Sequence, residues 1–356
     1  MKKIVILSAF LTPFRSGAEA CAEEVALALH DQFDITIVTA KMRSELPRKD
    51  MLQGKVPVIR VGIGHKIDKW LFPFLAPFAA KNLRPDIVHA VLESFAGMAL
   101  VGCRFLMPRT KRILTTQSTN TSLFLEIIYR SANVITGISS VLIARAHEFG
   151  RLGAVLIPNG VHYGEIRAVC GKTAKVPGRM LFVGRLETMK GVDTLLKSIA
   201  ETRITDYGIV SVHIVGDGSL RRELEDQTRS LGLSDRVTFL GRLDGQALLK
   251  EYAEAEIFCG LSRSEALGNV FLEAQAADCA VIATNVGGIS DVVQHEKTGL
   301  LVQPDDVAAA ARAIERVGKN DSLRAMLTRQ GIENAAKYDW KGIAAQYATL
   351  YAQTVS

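Results

Sequence analysis

The chain has 356 residues, 48% hydrophobic and 22% charged, with a formal net charge of +6. That length exceeds one small core and predicts two domains of ordinary size. Five cysteines, an odd number with no C-x-x-C pair, exclude a disulfide framework and a cysteine zinc site and fit a reducing cytosol. No apolar run approaches the ~20 residues that span a bilayer.

The first residues, Met-Lys-Lys and an apolar run at 4–11, imitate a secretion signal. Pro13, Arg15 and Glu19 follow before any small-residue cleavage site, so a buried first strand at 3–7 is expected instead. Residues 18–30 have helical spacing, with Ala22, Val25, Ala26 and Leu29 on one face. Short apolar runs at 35–39, 58–61, 87–90, 112–116, 134–136 and 155–157 predict further strands. Residues 166–178, with Gly and Pro, break the rhythm as a linker would. A second series follows, with strands at 180–183, 210–215, 237–240, 257–259, 280–283 and 299–302 and helices at 220–231 and 246–255. Continuous apolar strands alternating with helices predict parallel sheets covered on both faces. The fold class is therefore α/β, with two doubly wound domains over 1–165 and 166–339. Ligands bind outside the C-terminal strand ends of such sheets, and two of them facing one another would form a cleft.

The two halves differ in charge. Residues 1–165 hold 20 Lys and Arg against 13 Asp and Glu, or +7; the rest hold 23 against 24, or −1. Such asymmetry predicts different partners for the two domains. No nucleic acid is expected among them.

Neither a Walker A sequence nor a G-x-G-x-x-G follows the first strand, and Val215-Gly-Asp-Gly218 lacks the third glycine. Four other features carry chemistry. Ser16-Gly17-Ala18 sits between the first strand and the first helix, where Gly17 lets a phosphate approach the helix N-terminus. Val183-Gly-Arg-Leu-Glu-Thr-Met-Lys-Gly191 places Arg185 and Lys190 after a strand, two cations suited to a diphosphate. Ser264-Glu-Ala-Leu-Gly-Asn-Val-Phe-Leu-Glu273 sets Glu265 and Glu273 around the Gly268, Asn269 and Val270 amides of a helix start. Carboxylates for hydroxyls beside N–H groups for phosphate suit a ligand that is both sugar and phosphate. Thr284-Asn-Val-Gly-Gly-Ile-Ser-Asp291 is a double-glycine turn with a structural role.

In this order, and with Ile157-Pro-Asn-Gly-Val161, Val237-Thr-Phe-Leu-Gly241 and Gly299-Leu-Leu-Val302 between and after them, these motifs resemble the GT-B-fold retaining glycosyltransferases of family 4, the glycosyl transferases group 1. The resemblance implies a UDP- or GDP-sugar donor substrate, no cofactor, and an acceptor hydroxyl on a glycan or a lipid-linked molecule. It implies Arg185 and Lys190 on the diphosphate, with their charge stabilising the leaving nucleotide. Glu265 and the Gly268–Val270 amides would hold the transferred sugar, Glu273 the ribose, and the backbone near Arg242 and Leu243 the base. Gly17 would touch the phosphate from the other domain. The last helix, near 340–353, would cross back onto the first domain; Ile343, Tyr347, Leu350 and Tyr351 repeat at helical spacing. No D-x-D occurs, which agrees with a transferase that uses Arg and Lys where others use a divalent cation.

The chain departs from the family at Gln117, in Leu114-Thr-Thr-Gln-Ser-Thr119, where members often carry His. Gln117 can bond a sugar hydroxyl but cannot titrate, so no general base is assigned. His162 stands where Asp is common. His89 ends a strand, either packed within the domain or facing the cleft. A nucleotide-sugar epimerase or hydrolase, or a non-catalytic nucleotide-sugar-binding protein, are the competing functions. Residues 65–78 combine bulky apolar side chains with Lys66 and Lys69. They form either a buried helix with a charged tip or a peripheral contact with an anionic membrane at the inner face of a cytoplasmic location.

Overall fold

The apolar runs of the first half become an eight-stranded sheet in the computed structural model, which describes residues 1–14, 17–202 and 211–355. Its strands are β1 (Lys3–Leu7), β2 (Asp34–Ala40), β3 (Lys49–Leu52), β4 (Val56–Val61), β5 (Ile87–Val91), β6 (Lys111–Thr116), β7 (Val134–Gly137) and β8 (Val155–Leu156). Their order is β3-β4-β2-β1-β5-β6-β7-β8, parallel apart from the β3–β4 hairpin. Ile4 to Leu7 are fully buried and pair with β2 on one side and β5 on the other, which is why this strand is apolar on both faces. The edge strand β3 has no apolar pattern: Lys49, Asp50 and Met51 are exposed and their backbone pairs only with β4.

This first unit comprises Met1–Gly160 and Trp340–Ser356. The chain returns to it as a helix, Trp340–Thr354, lying against the helix Gly17–Leu29. Trp340, Ile343, Tyr347, Leu350 and Tyr351 share one core with Cys21, Ala22, Val25 and Ala26. Gly160 admits the Trp340 ring, which a Cβ there would meet at 2.6 Å. Polar groups bolt the helix down from inside. His89 Nδ1 lies 2.7 Å from the Tyr351 hydroxyl and Nε2 lies 2.7 Å from Thr115 Oγ1. Full burial holds the imidazole neutral, its pKa lowered to about 3. His89 is thus packed inside its unit.

Residues 68–83 form a helix, Asp68–Leu83, despite Pro73 and Pro77 within it. Pro77 packs beside Gly102 of the helix Phe95–Leu106, so the ring fills space where a side chain would collide.

The second unit, Val161–Asp339, carries β9 (Arg179–Val183), β10 (Ser211–Val215), β11 (Val237–Gly241), β12 (Ile257–Gly260), β13 (Ala280–Thr284) and β14 (Leu300–Val302). The six strands are all parallel in the order β11-β10-β9-β12-β13-β14. The unit begins at Val161 rather than at 166, and the stretch 166–178 is not a bare linker. The helix Tyr163–Cys170 occupies its first part, with Ile166 buried. Lys175 then donates to the Ala255 and Ala277 carbonyls, both at 2.6 Å, at the ends of two helices. Val210, expected to start a strand, lies outside the described residues. Among the described residues no helix is long and apolar enough to cross a membrane.

Candidate functional site

In the second unit the strand order reverses between β9 and β12, and the loops leaving the C-terminal ends of two such strands are where doubly wound sheets take their ligands. Arg185 and Lys190 lie on the first loop and Glu265 on the second. Glycine lets the loops approach this closely. Gly191 has a left-handed backbone, φ 63°, and a Cβ there would overlap the Leu261 carbonyl. A Cβ on Gly216 would overlap the Gly184 carbonyl in the same way.

Arg263 ties the two loops together. Its backbone N–H donates to the Met189 carbonyl at 2.8 Å. Its guanidinium donates to both Asp193 oxygens, at 2.9 and 2.7 Å, and to Asp305 at 2.8 Å. Those bonds raise the Arg263 pKa further; they also lower that of Asp193 although burial acts the other way. Arg263 was not singled out from sequence, although it stands two residues before Glu265. On the far side of the first loop, Glu187 accepts from the Ser219 hydroxyl at 2.7 Å and from its N–H at 3.1 Å.

Within this frame the Lys190 ammonium is ion-paired with the Glu265 carboxylate, both side chains largely shielded from solvent. The double-glycine turn supports Glu265 from behind. The Gly288 N–H donates to the Glu265 carbonyl at 3.1 Å, and a Cβ on Gly287 would overlap that carbonyl. Beyond Glu265, Gly268 takes φ 93° and starts the helix Asn269–Ala276. The Asn269 and Val270 amides belong to its first turn, where N–H groups have no acceptor within the helix. A Cβ on Gly268 would press into the Phe271 ring and stand 3.4 Å from Glu265 Cγ.

Glu273 lies on that helix, and the buried Tyr252 hydroxyl donates to its Oε2 at 2.8 Å. Burial, then the carboxylate, pushes the Tyr252 pKa well above its usual value, so the hydroxyl remains a donor. Tyr252 therefore orients Glu273, a role no local motif signals. Arg185 is exposed beyond β9. Arg242, exposed, and Leu243, half-buried, follow β11 at the same end of the sheet. Of the residues expected at the site, Lys190 and Glu265 meet directly and Gly268 lies against Glu265; Asn269, Val270 and Glu273 follow on the next helix, and Arg185, Arg242 and Leu243 stand on loops after β9 and β11.

Gly17 and Gln117 belong to the first unit. Gly17 is the first residue of its helix and exposed, with no described residue within 4 Å of a Cβ built there and no left-handed φ. Ser16, its neighbour in the motif, lies outside the described residues. Gln117 is buried at the end of β6, and its amide pairs reciprocally with that of Asn159. Nε2 donates to Asn159 Oδ1 at 3.1 Å, and Oε1 accepts from Asn159 Nδ2 at 2.8 Å.

The loop that Gln117 opens is gripped from both sides. Glu93 accepts the Gln117 and Ser118 N–H groups at 2.8 and 3.1 Å. Arg145 donates to the Ser118 and Asn120 carbonyls at 2.9 and 3.0 Å and lies 3.7 Å from Glu93. Burial raises the Glu93 pKa, against the pull of those N–H groups and of Arg145. No local pattern in the sequence points to Glu93 or Arg145, because their contacts join residues far apart in the chain. Among the described residues no three His, Cys, Asp or Glu side chains cluster as a metal site.

Solved structures share this two-unit architecture. A sucrose-phosphate synthase from Thermosynechococcus elongatus superposes with a TM-score of 0.85 at 24% identity, covering 99% of each chain. Anabaena HepE, solved with UDP and glucose, gives 0.78 at 19% identity over 99% of this chain and 100% of that one. The fold is GT-B, that of a large class of glycosyltransferases. Residues 15–164 match the family model described as Glycosyltransferase Family 4, and residues 172–334 match Glycosyl transferases group 1. The two models, both of glycosyltransferases, fall largely one on each unit and together take in most of the chain.

Among curated relatives, a D-inositol 3-phosphate glycosyltransferase of Corynebacterium urealyticum is 35% identical over 186 residues, 50% of this chain and 43% of its own length. A phosphatidyl-myo-inositol mannosyltransferase of Mycobacterium leprae is 31% identical over 252 residues, 67% of this chain and 64% of its own. Of an uncharacterised glycosyltransferase of Methanocaldococcus jannaschii, 32% identical, the chain spans 44%.

Proposed function

We propose that this chain transfers a sugar from a nucleoside-diphosphate sugar to a hydroxyl acceptor, on a glycan or a lipid-linked molecule, with retention of anomeric configuration and without a metal ion. The observation that carries this reading is the Lys190–Glu265 ion pair at the strand-order reversal of the second unit. A cation and an acid held in contact suit the two sides of one bond, the sugar–phosphate bond that breaks. Lys190, with Arg185, takes the diphosphate and stabilises the charge that develops on it. Glu265 and the Asn269 and Val270 amides take the sugar. Glu273, oriented by Tyr252, takes the ribose, and the backbone near Arg242 and Leu243 takes the base.

Gly17 supports the reading from the first unit. Neither its backbone nor any described residue around it requires glycine. A ligand that must come close to the helix start does. Gln117 does not titrate and its amide is already paired with Asn159, so it serves neither as base nor as acid. The leaving phosphate then receives the acceptor proton on the face the nucleotide leaves, which retains configuration. Two cations, Lys190 held by Glu265 and Arg185 on the same loop, give that phosphate the charge stabilisation a divalent ion supplies elsewhere. HepE, of the same fold, was solved with UDP and with UDP-glucose, which makes these the first donors to test here.

The test is thermal shift with UDP, GDP and their sugars, then turnover with lipid and glycan acceptors and NMR of the product linkage. Stabilisation by one nucleotide, turnover undiminished by EDTA and a retained anomer are expected. An inverted product, or a requirement for a divalent ion, would overturn the mechanism. Nucleotide binding with no transfer across a broad acceptor panel would favour a non-catalytic binding protein.

A further inference from the structure

The helix Asp68–Leu83 has two apolar faces. Phe72, Ala76 and Ala80 are fully buried in the core of the first unit. On the other face Trp70, Phe74 and Phe78, spaced four apart, are 62%, 70% and 58% exposed. Ile67 at the helix start and Ile63 before it, also exposed, extend the stripe. A surface helix ordinarily turns polar residues to water, and a contiguous aromatic stripe is an interaction surface.

The exposed charge on the helix itself has one sign. Lys66, Lys69, Lys81 and Arg84 border the stripe. The helix has a single acid, Asp68, and that acid is buried. Its carboxylate accepts the N–H groups of Ile63, Gly64, His65 and Met42 at 2.9, 2.7, 3.2 and 3.3 Å. No negative side chain therefore faces outward along the helix. The helix Phe95–Leu106, packed alongside, adds exposed Arg104 and Phe105, and no acid occurs in the sequence between Glu93 and Glu126.

We propose that this face docks on an anionic lipid bilayer. The three rings enter the boundary between headgroups and acyl chains, and the lysines and arginines meet the lipid phosphates. Exposed aromatics interleaved with lysine along a helix match the composition of the bilayer interface. A second copy of the chain fits less well, because a two-fold contact would set Lys66, Lys69 and Lys81 against their own equivalents. The proposal is independent of the reaction assigned to the second unit.

The test is co-sedimentation of the full chain with phosphatidylcholine vesicles, with and without phosphatidylglycerol. Strong binding only with phosphatidylglycerol is expected. Replacing the rings (Trp70→Ser, Phe74→Ser, Phe78→Ser) should lower the partition coefficient by about tenfold or more. The charge reversal Lys66→Glu with Lys69→Glu should do the same on anionic vesicles only. These side chains are exposed, so unchanged melting temperatures control for folding. A second readout needs no variant. The chain has two tryptophans and Trp340 is buried, so brominated lipids should quench the Trp70 emission alone. No vesicle binding by the wild type, or equal binding by the ring variant, overturns the proposal. So does a wild-type dimer that stays off vesicles and that the ring variant dissociates.

Discussion

Lys190 and Glu265 constrain one another, and that makes their substitutions unequal. Lys190→Ala removes a phosphate ligand and leaves the Glu265 carboxylate facing the phosphate with no counter-charge. Its cost in nucleoside-diphosphate affinity should reach the upper part of the roughly 1.5–3 kcal/mol range of a charge-assisted contact. Glu265→Gln has the opposite sign for binding, since it releases Lys190 from its partner. Nucleotide affinity should hold or improve while sugar transfer falls. Calorimetry of UDP or GDP binding beside a turnover assay separates the two effects; weaker nucleotide binding in Glu265→Gln would refute the division of roles. The acids and cations of this site were legible in the sequence because each stands at a strand end between glycines. The residues that aim them were not. Tyr252 meets Glu273 from another helix, and Arg263 meets Asp193 at the start of a helix and Asp305 on a loop, contacts that exist only after folding.

At the scale of elements, glycines act in two ways that a substitution can distinguish. Gly287 is required by the protein, because it has φ 53° and its Cβ would overlap the Glu265 carbonyl. Gly287→Ala should cost roughly 1–3 kcal/mol of stability and displace Glu265, lowering transfer. Gly17 is not required by the protein, so Gly17→Ala should leave stability unchanged or raise it by up to about 1 kcal/mol. Its expected deficit is in donor binding alone. Chemical denaturation of both variants checks the contrast, and a Gly17→Ala chain that binds donor normally refutes the phosphate contact.

Strands were the most legible elements, since buried parallel strands must be continuously apolar. The edge strand Lys49–Leu52 was hidden because it buries neither face, and the helix Tyr163–Cys170 because glycine and proline nearby suggested a linker.

At the scale of the molecule, the first unit depends on pH through its core. His89 is neutral when folded, with a pKa of about 3 against an ordinary 6.5. The unfolded chain takes up a proton as pH falls through 6.5, and the folded chain does not until near 3. The stabilisation is complete above the ordinary value and is lost as pH falls. Between pH 6.5 and pH 5 this amounts to about 2 kcal/mol. Urea unfolding at a series of pH values should show that slope in the wild type and a shallower one in His89→Gln. Equal slopes would mean that His89 is not held neutral by folding.

The second unit begins and ends side by side, with Val161 donating its N–H to the Tyr338 carbonyl at 2.8 Å and bridging to Asp339. It is inserted within the first unit, between Gly160 and Trp340. Translation therefore delivers the two units in an order unlike that of the sequence. When residue 160 leaves the ribosome the first unit still lacks Trp340, Tyr347 and Tyr351, and part of its core is open. All of residues 161–339 are made before those side chains arrive. The unit encoded later completes its core first, and the earlier one waits, exposed to chaperones and proteases, for the segment that closes it.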